Sequence, residues 1–217
     1  LESALAGALG SMSPADARSF LVACFEGERG EPIAGALEAG PRLARVLGAG
    51  TVDAESAGPW LERLLRSEDV PTRAAAAHAM GSLGEVGSRV AEEALGGELD
   101  ARVQLQLVGL LAGTVDLTVG AERDALEPSA LTLLELLEGG ASERVLEAVS
   151  VALGQPEAAP PVVAALVAFI AGDPGPALTT SAAVALGRTR SDAALEQWKV
   201  VVESLRDVID GNRRHAC

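Results

Sequence analysis

The chain has 217 residues, 48% of them apolar but only 2% aromatic, with a formal net charge of −14. Burial must therefore come from Ala, Leu and Val, which argues against an all-β sandwich and for helices. The acidity works against nucleic acid and anionic lipid, whose phosphates call for clustered Lys and Arg.

The first fifty residues read as short helices, Glu2–Leu9, Pro14–Phe25 and a stretch from Pro32 to Leu47 broken at Gly40-Pro41. They suit an irregular N-terminal cap. Cys24 lies beside Phe20, Leu21 and Phe25, where a free Cys behaves as a small hydrophobe. From Pro59 onward, Trp60, Leu61, Leu64 and Leu65 share one face of a helix. The run Ser67-Glu68-Asp69-Val70-Pro71 is a turn, with Asp69 as expected N-cap and Pro71 opening the next helix. An Ala-rich helix ends at Gly81 and Gly84, and another runs from about Gly87 to Leu95.

The pattern then recurs. Leu99-Asp100-Ala101-Arg102 leads into an apolar helix to Leu111. After a long connection, Leu131–Leu137, Ser142–Gly154, Val162–Ile170 and Leu178–Gly187 follow as helices, and a final one spans Asp192–Asp210. Gly154 and Gly187 each follow an Ala-Leu pair, so both are expected in left-handed caps. A helix–turn–helix unit of this size cannot bury its own apolar face, so about five such hairpins must stack.

The segment Asp69-Val70-Pro71-Thr72-Arg73-Ala74-Ala75-Ala76-Ala77-His78-Ala79-Met80-Gly81-Ser82-Leu83-Gly84 resembles the HEAT-repeat family. The resemblance covers residues 58–113 and 129–210. It implies an all-α fold, a right-handed superhelix of antiparallel helix pairs of the HEAT or armadillo type. It also implies a ladder in which a turn Asp and an Arg four residues on link successive repeats. Asp69 and Arg73 fit that ladder, and Glu98 and Arg102 keep the spacing. Arg144 follows Gly140 and Asp173 precedes Ala177 at the same spacing, so the ladder breaks later in the chain. The expected organisation is one continuous domain, a cap over 1–50 and repeats over 51–217.

The connection at 114–128 interrupts the repeat and carries Asp116, Glu122, Asp124 and Glu127 against the single Arg123. It reads either as a partner-binding loop or as slack chain tolerated by a slowly growing closure cost. Catalytic chemistry has no evident carrier. His78 and His215 are the only histidines, and no metal-ligand cluster, phosphate-binding glycine fingerprint or nucleophile elbow is present. No catalytic, cofactor-binding or metal residue is assigned and no cofactor is expected.

The function expected is therefore a non-catalytic protein–protein interaction scaffold. The alternative is an accessory lyase or small-molecule-binding enzyme of the HEAT-like type. The expected partner is another protein, of basic character if the acidity is complementary rather than merely solubilising. No apolar stretch is long enough to cross a bilayer. Two cysteines without a disulfide framework fit the cytoplasm, while a chain beginning at Leu1 leaves export open. Lys199 and Asn212 stand alone of their kinds, a usage that points to a GC-rich bacterial genome.

Overall fold

The computed structural model of the chain describes residues 54–190, together with 11–13, 15, 16, 19, 41, 44–48 and 202. Among them all regular structure is helical and no strand occurs. The chain forms two compact units that divide between Leu110 and Leu111. Most of the cap expected over 1–50 and of the final helix expected over Asp192–Asp210, together with Cys24 and Cys217, lies outside the described residues.

In the first unit, α1 (Ala54–Leu65) packs on α2 (Val70–Met80), and both pack on α3 (Glu85–Leu95). α1 starts earlier than its apolar periodicity announces and carries Pro59 inside it, with the ring on the exposed side. Asp69 is extended at φ −77° and accepts a hydrogen bond from the Thr72 N–H, which caps α2. The 3-10 turn Gly81–Leu83 then leads to Gly84 at φ 58°, a left-handed value that favours glycine, and so to α3. α4 (Ala101–Thr114) straddles the division.

In the second unit, α5 (Pro128–Glu138) pairs with α6 (Glu143–Leu153), and α7 (Pro160–Ala171) pairs with α8 (Pro176–Thr189). The two hairpins stack: α6 lies against α8, and α5 touches α7. Leu133, Leu134, Val149, Leu153, Val162, Leu166 and Leu186 are buried on these helices. Pro at the first turn of α5, α7 and α8 presets φ where an N–H would be unpaired anyway.

The left-handed expectation fails at both glycines. Gly187 is inside α8, which runs on to Thr189, and the left-handed residue is Arg190 at φ 50°. Gly154 has φ −82° and ψ 51°. Its role is proximity: a Cβ there would stand 2.7 Å from Ala185 Cα and 3.0 Å from Ala185 O. The same joint exists in the first unit, where a Cβ on Gly48 would stand 2.7 Å from Ala79 Cβ and 2.9 Å from Ala79 Cα. Glycine and alanine are 31 positions apart in both joints, and the joints are 106 positions apart. α1 and α7 also begin and end 106 positions apart. At that offset Ala76-Ala77-His78-Ala79-Met80-Gly81 matches Ala182-Ala183-Val184-Ala185-Leu186-Gly187. Over residues 48–80 and 154–186 the two units thus share one helical arrangement.

Candidate functional site

The residues singled out for the ladder come together around the turns that join α1 to α2 and α3 to α4. Asp69 caps α2 through Thr72 N and Thr72 Oγ1. Arg73 reaches across to Glu98, 25 residues on, with Nε 2.8 Å from Oε2 and Nη2 3.2 Å from Oε1. Its Nη1 donates to the carbonyls of Ser67 and Glu68, so one guanidinium closes the first turn and grips the second. Both partners are largely withdrawn from water, at 17% and 9% side-chain exposure. Burial opposes ionisation of Glu98. Hydrogen bonds from Arg73 and from the N–H groups of Asp100 and Leu99 outweigh it and hold the carboxyl below its ordinary range.

Arg102, which keeps the ladder spacing from Glu98, takes a local partner. It pairs with Asp100, Nη2 to Oδ2 at 3.2 Å, and is 70% exposed. Asp100 also accepts from the Arg102 N–H at 2.9 Å and its carbonyl accepts from Gln104 N, so it is the cap of α4. The sequence signal for this cap is an Asp immediately before an Ala-Arg helix start.

Beside the bridge opens a groove of about 530 Å³. Glu62 on α1, Arg66 and Glu68 in the turn, and Glu93 on α3 line its rim. Leu65, Val90, Ala94 and Leu99 supply its apolar surface. A shallower cavity of about 330 Å³ has Arg45, His78, Arg102 and Gln106 on its walls. There His78 Nδ1 stands 3.3 Å from Gln106 Oε1.

The 114–128 connection is neither slack nor an array of free carboxylates. Val115, Leu117 and Leu126 are buried. Leu117 O accepts from Ala159 N at 2.6 Å, and Val115 O from Gln155 Nε2 at 3.4 Å. Glu127 accepts from Asp116 N, and Asp116 accepts from the hydroxyl and N–H of Thr118, which holds its carboxyl below the usual range. Arg123 is bidentate on Glu138, at 2.7 and 2.9 Å, and lowers that carboxyl likewise. Glu122 and Asp124 remain exposed.

Among the described residues no three metal-ligating side chains stand together, and no helix is long and apolar enough to cross a membrane. No protein-family model matches this sequence, and no curated protein matches it significantly.

Proposed function

We propose that this chain is a HEAT-like scaffold that holds another protein, with its hairpins continuing as a right-handed superhelix. The observation that carries this reading is the repeated joint: Gly154 on Ala185 between stacked hairpins, and Gly48 on Ala79 at the same 31-residue separation. An arrangement that repeats its second-helix contact leaves one helix face per hairpin for a partner, the usual working surface of stacked repeats. Bound partners are proteins rather than nucleic acid, since a charge of −14 repels phosphate. Complementarity favours a basic partner, and the cytoplasm is the compartment this reading supposes.

The test is purification of the tagged chain from its native cells after mild crosslinking, with intact-mass analysis of what accompanies it. A protein in stoichiometric amount is the expected result. A stoichiometric small molecule with no accompanying protein would overturn the scaffold in favour of a ligand-processing role.

A further inference from the structure

We propose that the groove beside the Arg73–Glu98 bridge docks a basic amphipathic segment of a partner protein, inserting an aliphatic side chain against Leu99 and placing Lys or Arg on the acidic rim. The inference rests on the scaffold reading and narrows it to one surface and one chemistry.

Shape comes first. The groove holds about 530 Å³, within the roughly 300–1,000 Å³ of ordinary ligand sites, but it is open along its length. That suits a chain segment better than an enclosed small molecule. Its floor is apolar, formed by Leu65, Val90 and Ala94. Leu99 stands at its edge with 94% of its surface exposed, the most of any large apolar side chain described. A single exposed leucine is unremarkable by itself. This one continues an apolar floor, and its turn is fixed. Glu98 Oε1 accepts the N–H groups of Leu99 at 3.0 Å and Asp100 at 2.8 Å while Arg73 grips the same carboxylate. Leu99 is therefore held outward before any partner arrives, which lowers the ordering cost of binding.

Charge gives the partner's sign. Four carboxylates and two guanidiniums line the groove. Both guanidiniums are committed, Arg66 to Glu62 and Arg73 to Glu98. Glu68 and Glu93 are exposed and have no ion-pair partner among the described residues. They offer two anchoring points for cations beside an apolar strip. An acidic segment would meet repulsion there, and a purely apolar one would leave the rim without a counter-charge.

The probe is a fluorescein-labelled ten-residue Leu/Lys peptide, compared with a Ser/Lys peptide of equal charge by fluorescence anisotropy. The intact chain is expected to bind the Leu/Lys peptide more tightly. Leu99→Ser, and separately the pair Glu68→Lys with Glu93→Lys, should each weaken it about tenfold. The same charge change made on the connection, Glu122→Lys with Asp124→Lys, should alter it less than about twofold, which separates the groove from general attraction to an acidic protein. Equal binding of both peptides, or equal effects of the groove and connection variants, overturns the groove. Circular dichroism confirms that each surface variant keeps its helices. The scaffold is judged separately by native co-purification: a native partner that L99S and the Glu68/Glu93 pair still retain sinks the groove and leaves the scaffold standing.

Discussion

Asp69 fixes the start of α2 through one carboxylate oxygen shared between the Thr72 N–H and hydroxyl. Thr72 is itself fully buried. Replacing Asp69 with Ala is expected to lower stability by about 0.5–2 kcal/mol, read as a lower denaturation midpoint, with Asp69→Asn close to wild type. Glycines divide by surroundings. Gly154→Ala should cost about 1–3 kcal/mol, because its Cβ would be driven into Ala185. Gly109 is inside α4 with open space around a would-be Cβ, so Gly109→Ala should stabilise by about 0.5–1 kcal/mol. The same pair of midpoint measurements tests both, and a loss at Gly109 would contradict the open environment. The cap at Asp69 was legible because cap chemistry is local. The role of Gly154 was not, because a helix ending in Ala-Leu-Gly reads as a cap whatever lies across from it, and Ala185 is 31 positions away.

At the scale of elements, Arg73 and Glu98 bind the α1–α2 turn to the α3–α4 turn. The sequence placed Asp69, Arg73, Glu98 and Arg102 in a ladder between successive turns without saying which Arg meets which carboxylate. The long side chain of Arg73 reaches Glu98 in the neighbouring turn, and Asp100 takes Arg102. Such choices depend on the distance between turns, which composition and spacing do not encode. The lowered pKa of Glu98 fixes a pH dependence. At neutral pH both folded and unfolded chains are ionised there, and the bridge contributes in full. Below the ordinary value of 4.5 the unfolded chain binds the proton first, so stability falls as pH drops towards the lower folded value. Glu98→Gln should flatten the stability–pH curve in that acid window and lose about 2 kcal/mol at neutral pH, where a charged hydrogen bond is removed. An unchanged acid slope in urea titrations at stepped pH would show that other carboxylates govern it.

Across the molecule, helical class and most element positions followed from periodicity, since buried Leu and Val recur at three- and four-residue steps. The duplicated arrangement did not, because the 106-residue offset is longer than any single hairpin and the matching residues are mostly Ala and Gly, common everywhere in this chain. Repeats that touch only their neighbours fail locally. Gly154→Val is therefore expected to speed amide exchange in α6 and α8 while α1 and α2 keep their protection. Uniform loss of protection across both units would instead mean one cooperative structure.

The two glycine–alanine joints also constrain how relatives of this chain can differ. Touching side chains ordinarily permit a trade, a larger residue on one side against a smaller one on the other. Here the obstacle facing Gly154 includes the Cα and carbonyl oxygen of Ala185, and the one facing Gly48 includes the Cα of Ala79. Shrinking the alanine removes none of those atoms. An alignment of relatives should therefore hold glycine fixed at 48 and 154 without a compensating partner, a signature of invariance where coupled drift would be the ordinary pattern for packed helices.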